Sequence, residues 1–319
     1  MSVVRWILTG LALCGLCAPL AVAVAGLSGI GHRWVDILAQ FTAPALAATV
    51  VLGLLLLLVG LRIAAGGAAA VALLLIAVWP QWAPPKGAAE PDAPVVILYS
   101  ANLWARNTDV AAITASIAAA DADIVVLIEL GDAPAARLDQ VLAGYPHRIA
   151  TPRVDRPSGP ARSLIASRFP LSEIADRPDG LHAVGATART PLGPLNVIGV
   201  HLTRPWPYDY QWGQITQATA LAAVVADLDG PAIVAGDFNS VSSARIGRQV
   251  HRETGLIPAP GWPGTWPARL PSAVGITIDQ VYRSPDLALI DRRLGRPSGS
   301  DHRPVVTRFS RARTPPPAP

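Results

Sequence analysis

The most chemically suggestive stretch of this sequence is an apolar run that ends in two polar side chains. Residues 232–235 are Ala-Ile-Val-Ala, and Gly236-Asp237-Phe238-Asn239 follows directly. Such a run predicts a buried strand, which delivers the carboxylate of Asp237 and the carboxamide of Asn239 together to one edge of a sheet. Groups of this kind, side by side, suit a hard metal ion, a phosphate group, or both.

Other apolar runs in the chain end beside polar groups in the same way. A single Glu after a buried strand is more often a solvated cap than a ligand, because charged side chains are normally exposed. Six such groups in one chain are difficult to attribute to surface chemistry, so they predict a site assembled at strand ends. They lie in Ser100-Ala101-Asn102-Leu103, Glu129, His201, Asp237 with Asn239, Asp279, and Gly299-Ser300-Asp301-His302.

The elements that position these groups are short apolar strands that alternate with helices. The apolar spacing predicts helices over Asp109–Ala120, Pro134–Ala143 and Tyr210–Leu228. Strands are predicted over Val95–Tyr99, Ile124–Ile128, Leu164–Ala166, Leu195–Val200, Ala232–Ala235, Ile276–Tyr282 and Pro304–Phe309. This alternation predicts a layered sheet core with helices outside and Pro-stiffened loops at one rim.

A motif set in this chain resembles that of the endonuclease/exonuclease/phosphatase superfamily. The resemblance covers about Val95 to Phe309, and it implies a four-layer α/β sandwich of two facing mixed sheets with outer helices. It also implies a divalent-metal-dependent phosphoesterase, since the family includes nucleases, inositol polyphosphate phosphatases and sphingomyelinases. The set consists of Asn102, Asp123–Glu129, Gly236-Asp237-Phe238-Asn239, Ile278-Asp279 and Ser300-Asp301-His302, in this order.

The resemblance implies metal-side roles for three residues. Glu129 resembles the principal Mg²⁺ ligand of the family, and Mg²⁺ favours a few hard carboxylate oxygens together with several waters. Asn102 matches an amide that organises metal and phosphate, and Asp301 matches a further carboxylate near the metal. Mg²⁺ is therefore the expected cofactor, with Mn²⁺ as an alternative.

The resemblance implies catalytic roles for five further residues. Asp237 resembles the residue that orients or deprotonates the attacking water, and Asn239 matches an amide that donates to a non-bridging phosphate oxygen. His302 resembles the histidine beside the scissile phosphate, with Asp279 as the carboxylate that fixes its tautomer. His201 fits a histidine of the deoxyribonuclease-I and sphingomyelinase branches.

Loops rich in Trp and Arg supply the candidates for substrate binding beyond Asn239. Arg204 and Trp206 follow His201, and they suit either base stacking with phosphate contact or anchoring at a lipid headgroup layer. The alternative is that the Trp residues fill gaps between loops. Arg168, in Ser167-Arg168-Phe169-Pro170, matches a family segment and is a further substrate-binding candidate, with a structural role equally open.

The chain is too apolar for an ordinary soluble enzyme, and the excess of apolar residues lies in its N-terminal part. Of 319 residues, 51% are hydrophobic, and the mean hydropathy is +0.38. Uncharged stretches predict three membrane spans at about 6–30, 38–61 and 66–82. The alternative, a signal peptide followed by buried core helices, fits less well because a signal peptide has an apolar region of only about 7–15 residues.

Domain organisation and orientation follow from these spans. Arg5 and Arg62 flank them on the side predicted to be cytoplasmic, which places the N-terminus inside and the catalytic domain outside a cell membrane. Mid-span ionisable residues, the usual mark of a transport path, are missing, so an anchor is favoured. The expected units are an anchor at 1–82, a Pro/Ala-rich linker at 83–94, a catalytic domain at 95–310 and a disordered tail at 311–319.

The charge and the cysteines exclude some functions. A net charge of +4 is too small to argue for nucleic-acid binding by itself. Cys14 and Cys17 both lie in the first predicted span, which excludes a disulfide or a thiol nucleophile in the outer domain.

The sequence thus predicts a membrane-anchored phosphoesterase that hydrolyses a phosphodiester by in-line attack of water. The substrate stays open among nucleic acid, nucleotide and phospholipid headgroup, because specificity resides in loops. The alternatives are a phosphomonoesterase of the same fold and a catalytically silent, membrane-tethered binding protein. The expected partners are the phosphoester substrate and the lipid bilayer, and no obligate protein partner is inferred.

Overall fold

The computed structural model describes residues 3–58, 60–151, 162–174, 180–205 and 211–313. Within these ranges, a group of apolar helices precedes two six-stranded sheets. The N-terminal helices are α1 (Val3–Ser28), α2 (Arg33–Ala39), α3 (Thr42–Leu56) and α4 (Leu61–Trp82).

Two of these helices are long and apolar enough to cross a membrane, over Trp6–Ser28 and Ile63–Trp82. The helices α2 and α3 pass the same test only as a pair, and they meet at a bend of 57°. The second span predicted at 38–61 is therefore not one straight helix. Just before the bend, Asp36 of α2 accepts a hydrogen bond from the backbone N–H of Arg245 in the following domain.

The rest of the chain forms two facing sheets of mixed strand direction. The strands are β1 (Val96–Asn102), β2 (Ile124–Ile128), β3 (His147–Ala150), β4 (Leu164–Ser167), β5 (Leu171–Glu173), β6 (Ala183–Thr190), β7 (Gly193–His201), β8 (Ala232–Asp237), β9 (Ile257–Pro258), β10 (Asp279–Arg283), β11 (Leu287–Leu294) and β12 (Val305–Arg311). The first sheet has the order β11-β12-β1-β2-β4-β3, and the second has the order β5-β6-β7-β8-β10-β9.

Helices cover the outer face of each sheet, which gives the four layers that were predicted. The inner faces meet in a core that includes Val126 of the first sheet and Val184 and Ile233 of the second. Burying each such side chain contributes about 1.5–3 kcal/mol. On the first sheet lie α5 (Val110–Ala120), α6 (Asp132–Ala135) and α7 (Leu138–Val141), and on the second lie α8 (Trp212–Ala226) and α9 (Arg245–Thr254).

Strand register explains why the predicted site residues can meet. Each sheet contains one parallel pair joined by a crossover helix, β1 with β2 through α5 and β7 with β8 through α8. Register places Asn102 opposite Ile128, and His201 opposite Asp237. The antiparallel strand β10 adds Asp279 on the other side of Asp237. The polar ends of four strands therefore lie at one edge of the sandwich.

The helix predicted over Pro134–Ala143 is wrong as a single element. The chain forms α6 and α7 instead, because the backbone leaves the helical region at Arg137, which has a φ of −128°. The predicted helices around α5 and α8 are found within two residues of their expected ends.

The Pro/Ala-rich linker packs along the sheet instead of extending freely from it. Ala89 pairs with Ala312 in an isolated β-bridge, and the N–H of Arg313 donates to the carbonyl of Ala88 at 2.8 Å. The start of the tail predicted at 311–319 is therefore ordered through Arg313, and the remainder lies outside the described residues.

Candidate active site

Asp237 lies at the centre of a cluster of polar side chains at this edge. It is the last residue of β8, and its side chain is only 2% exposed. The preceding Gly236 has a φ of 141°, and a Cβ atom there would lie 2.0 Å from the carbonyl oxygen of Val200. Only glycine allows β8 to approach β7 this closely, and this approach sets His201 beside Asp237.

Asn102 joins the two sheets by holding two carboxylates. Its Nδ2 donates to Oε1 of Glu129 at 3.1 Å and to Oδ2 of Asp237 at 3.0 Å. Its Oδ1 accepts from the N–H of Trp104 at 2.9 Å, and the N–H of Ala105 donates to Oε2 of Glu129 at 3.2 Å. Two carboxylates so close together repel each other unless donors or a cation compensate, and these contacts supply the donors.

Two residues of the cluster have left-handed backbone conformations. Glu129 has a φ of 52° and Asn239 a φ of 47°, which costs a residue with a Cβ atom about 1–3 kcal/mol. Asn239 is held by its N–H donating to Oδ1 of Asp237 at 2.8 Å and by its Nδ2 donating to the carbonyl of Leu202 at 2.9 Å. These hydrogen bonds hold Asn239 in its left-handed conformation directly after β8.

His302 forms a buried pair with Asp279. The Nδ1 atom lies 3.1 Å and 3.0 Å from the two carboxylate oxygens, and Nε2 lies 4.0 Å from Oδ2 of Asp237. Burial by itself lowers the pKa of His302, but the carboxylates of Asp279, Asp237 and Asp301 outweigh it and raise the pKa to about 10. The ring is therefore a cation at neutral pH, with its Nε2–H facing Asp237.

Asp237 itself has a raised pKa. Burial is the main cause, His302 and His201 oppose it, and the nearby carboxylate of Asp279 adds to it. A raised pKa makes this carboxylate a better proton acceptor than an exposed aspartate.

The described residues include two groups of side chains whose potential ligand atoms lie within 4.8 Å of one another: Glu129, His201 and Asp237, and Asp237, Asp279 and His302. In the first group, Nε2 of His201 lies 3.5 Å from Oε1 of Glu129 and 3.8 Å from Oδ2 of Asp237. Its two carboxylates and imidazole fit a divalent cation. In the second group, His302 and Asp279 are already hydrogen-bonded to each other, so their ligand atoms are occupied.

A cavity of about 340 Å³ opens beside this cluster. Asn239 and His302 line it, and so do Arg204 and Asp301, both of which are exposed residues. Asp301 belongs to neither of the two ligand groups found among the described residues, so its metal-binding role stays a prediction. The predicted substrate contact of Trp206 lies outside the described residues.

The structure does not bring Arg168 to this site. Its guanidinium pairs with Asp121 and lies 5.6 Å from the ring centroid of Tyr145. Arg168 follows the end of β4, and β4 runs antiparallel to β2, so this end lies beside the start of β2 and away from Glu129. The predicted substrate contact is therefore corrected to a structural one.

Four apolar cavity residues were missed by the sequence analysis, and they come from both parts of the chain. From the sheet domain come Ile276 and Ile278, and from the N-terminal helices come Ile37 and Phe41. Trp266, which lies in one of the Trp-rich loops, also lines the cavity. A signal for the second set exists, since the neighbouring Asp36 is the only acidic residue before Glu90. A lone carboxylate in an apolar region requires a partner.

Two facing mixed sheets with outer helices, and a cluster of carboxylates, imidazoles and amides at one edge, define a phosphoester-hydrolase sandwich. The chain belongs to the Endonuclease/Exonuclease/phosphatase family, whose model matches residues 99–302. Membership implies a hydrolase that acts on phosphoester bonds.

Solved structures share this fold at low sequence identity. An endonuclease/exonuclease/phosphatase from Beutenbergia cavernae is 22% identical with a TM-score of 0.55, covering 68% of this chain and 72% of the other. Humanized TDP2 of D. rerio is 16% identical with a TM-score of 0.52, covering 68% and 99%. The endonuclease domain of the retrotransposon TRAS1 is 18% identical with a TM-score of 0.51, covering 69% and 100%. The chain matches no curated protein sequence.

Proposed function

We propose that this protein is a membrane-anchored, divalent-metal-dependent phosphoesterase that directs water at phosphorus in line with the leaving group. The observation that carries this proposal is the contact network around Asp237, which joins Asn102 and Glu129 of the first sheet to His201 of the second and to His302. These residues are far apart in sequence, and a purely structural role would not require two carboxylates to face each other.

The donor set supports a metal. Glu129 and His201 would hold the cation beside Asp237, and the preference for carboxylate oxygens favours Mg²⁺ or Mn²⁺. When bound, such a cation polarises a phosphoryl oxygen and offsets its charge. Asn102 positions both carboxylates for this task through its two hydrogen bonds.

The chain's own side chains supply proton transfer and charge stabilisation. The raised pKa of Asp237 suits it to accept the proton of the attacking water. His302, kept charged by Asp279, donates its Nε2–H to a phosphate oxygen, and this hydrogen bond strengthens as negative charge builds. Asn239, which lines the cavity beside His302, offers its remaining amide proton to the same phosphate.

Exposed apolar faces support membrane anchoring. Trp6 of α1, Leu54 of α3 and Ile76 of α4 are each 60% or more exposed, and apolar faces of this extent mark a membrane or protein contact.

The contacts of the anchor with the domain support an odd number of crossings. The turn after α1 meets the domain through Gly31, whose carbonyl accepts from Arg245 at 2.6 Å. The end of α4 meets it through Gln81, whose carbonyl accepts from Gly261 at 2.6 Å. The C-terminal ends of α1 and α4 thus both face the side on which the catalytic domain lies, so the N-terminus of α1 lies on the opposite side. This arrangement fits a cytoplasmic N-terminus and an extracytoplasmic catalytic domain. A phosphatase reporter fused after Pro319 tests this, and activity confined to the cytoplasm contradicts it.

The activity is tested on purified full-length protein with a panel of phosphoesters and with the metal varied. The panel contains bis(p-nitrophenyl) phosphate, p-nitrophenyl phosphate, single-stranded DNA and a phospholipid. We expect hydrolysis with Mg²⁺ or Mn²⁺ that EDTA abolishes. The panel also separates a phosphodiesterase from a phosphomonoesterase.

Variants assign the activity to the cluster. His302→Ala and Asp237→Asn should each lower turnover by about 10²–10⁴-fold, the usual contribution of an acid or base group. Glu173→Gln, on the exposed strand β5, is the control and should retain activity. Full activity in both cluster variants would mean that a contaminating hydrolase supplies the activity. The protein itself would then be a catalytically silent binding protein.

A further inference from the structure

The cavity beside the catalytic cluster combines a polar end with an apolar lining. Its volume of about 340 Å³ falls within the ~300–1,000 Å³ of small-molecule sites. Asn239, His302 and Arg204 provide donors suited to a phosphate group. The remaining lining is mostly apolar, and an apolar lining does not contribute to the binding of a phosphate group.

The apolar lining is built by two parts of the chain that face the same space. Trp266, Ile276 and Ile278 belong to the sheet domain, and Ile37 and Phe41 belong to the N-terminal helices. Phe41 is still 41% exposed although it lies beside buried catalytic groups. Covering this exposed aromatic ring with an apolar ligand is favourable, because it removes apolar surface from water.

A polar clasp fixes the start of this wall. Asp36, which is 2% exposed, accepts from the N–H of Arg245 at 2.6 Å and from the side-chain amide of Gln211. The guanidinium of Arg245 in turn donates to the carbonyl of Gly31 at 2.6 Å. Ile37 directly follows Asp36, so the clasp holds it in position at the cavity.

A second attachment fixes the other end of the wall. The amide of Gln81 donates to Oγ1 of Thr42 at 3.0 Å, and the carbonyl of Gln81 accepts from the N–H of Gly261. Thr42 directly follows Phe41, so the wall is held on both sides. The N-terminal helices are therefore part of the site as well as its anchor.

We propose that Ile37 and Phe41 form a specificity wall that binds the apolar chain of a membrane phosphoester while the catalytic cluster binds its phosphate. The inference rests on the proposed phosphoesterase function and names its substrate class. The wall belongs to the same group of N-terminal helices whose exposed apolar faces support membrane anchoring, which favours a substrate that comes from the membrane.

A nucleic acid fits this lining less well. A polynucleotide carries a charge at every phosphate and requires a basic surface along its length. Arg204 is the single Lys or Arg side chain among the described residues that line the cavity, and the net charge of the chain is only +4.

The test uses alkyl phosphates from ethyl to octyl as inhibitors of bis(p-nitrophenyl) phosphate hydrolysis by the full-length protein in amphipol. The inhibition constant should fall by about fourfold for each added CH₂ group that the wall covers. Phe41→Ala should flatten this dependence, and Phe41→Leu should restore part of it. Leu38→Ala is the matched control, because Leu38 lies on α2 three residues before Phe41, is exposed, and is not part of the described cavity lining.

Each outcome decides between the proposals. Inhibition that does not depend on chain length, or equal dependence in wild type and Phe41→Ala, overturns the wall while hydrolysis of the soluble ester still supports the function. Tighter inhibition by single-stranded DNA than by octyl phosphate overturns the lipid substrate in favour of nucleic acid. Failure to hydrolyse any phosphoester overturns both proposals.

Discussion

At the scale of single residues, the site is defined by competing charges in a buried space. Asp237 is close to a second carboxylate and to two imidazoles, and Asn102 connects the carboxylates directly. In the Asp279–His302 pair, the carboxylate favours the charged form of the imidazole at the same place. In the proposed function, these groups serve as the proton acceptor and the phosphate-binding cation.

The raised pKa of His302 predicts how stability depends on pH. A folded pKa of about 10 against 6.5 for the free group means that the contribution is complete below about pH 6.5 and is lost as the pH rises through about 10. Because one pKa unit corresponds to ~1.4 kcal/mol, we expect a loss on the order of 5 kcal/mol in metal-free protein. Melting temperatures measured in EDTA should show it.

Asp279→Asn separates this contribution from other titrations. Without its carboxylate partner the pKa of His302 falls, so the decline in melting temperature over this pH interval should largely disappear. Asp286→Asn, at an exposed position, should behave like wild type. An unchanged pH profile in Asp279→Asn would contradict the assigned pair.

Glu129 predicts the response to metal. A cation that binds only the folded protein stabilises it by ~2.7 kcal/mol at about 100 times its dissociation constant. We expect Mg²⁺ or Mn²⁺ to raise the melting temperature of wild type and of Glu173→Gln. In Glu129→Gln this increment should vanish, while the metal-free melting temperature holds or rises because one carboxylate charge beside Asp237 is removed. A full metal increment in Glu129→Gln would place the cation elsewhere.

At the scale of elements, the sequence predicts strands that are continuous runs of branched apolar residues, and it misses strands with a weaker apolar pattern, the buried β6 among them. The apolar runs that became β1, β2 and β8 lie where they were expected. The strand β11 was missed because Asp291-Arg292-Arg293 interrupts its apolar pattern, and α9 was missed because its sequence is mostly polar. The structure holds both through tertiary contacts, β11 by pairing with β12 and α9 by packing with α8.

The site residues likewise divide into those that the sequence could locate and those that it could not. Residues directly after apolar runs, such as Glu129 and His201, could be located because a strand end fixes their position. Arg168 was misplaced because the residues alone do not show that β4 runs antiparallel to β2. The wall residues Ile37 and Phe41 were missed because their contacts with the site join segments far apart in the chain.

Gly236 links the strand pair to the site. Gly236→Ala places a Cβ atom 2.0 Å from the carbonyl oxygen of Val200, at a φ of 141°. Together, strain and clash should destabilise the protein by about 3 kcal/mol or more, and activity should be lost. Gly193→Ala is the matched control, since its φ is 101° but its Cβ would meet open space, and it should cost only about 1 kcal/mol. Equal losses in thermal unfolding would contradict the close approach of β7 and β8.

At the scale of the whole molecule, the N-terminal helices and the sheet domain are one functional unit. The clasp at Asp36 and the contact of Gln81 with Gly261 tie both ends of the anchor to the domain. The tilted rings of Trp82 and Trp262, with centroids 6.3 Å apart, add an apolar contact at the second attachment. If the helices span a membrane as proposed, a rigid attachment of this kind would set the distance of the cluster from the membrane surface.

Asp36→Ala tests whether the clasp creates this rigidity. The substitution leaves the backbone N–H of Arg245 and the amide of Gln211 without their acceptor, which costs about 1–3 kcal/mol. The loss should be local, so hydrogen exchange should accelerate at the start of α9 while the strands β7 and β8 keep their protection. Asp286→Ala, far from the anchor in sequence and exposed, should leave hydrogen exchange unchanged at both places.

The chain-length dependence of alkyl phosphate inhibition should flatten in Asp36→Ala as it does in Phe41→Ala, because the clasp positions Ile37. Unaltered exchange at Arg245 would mean that packing alone holds the anchor and that the carboxylate has another role.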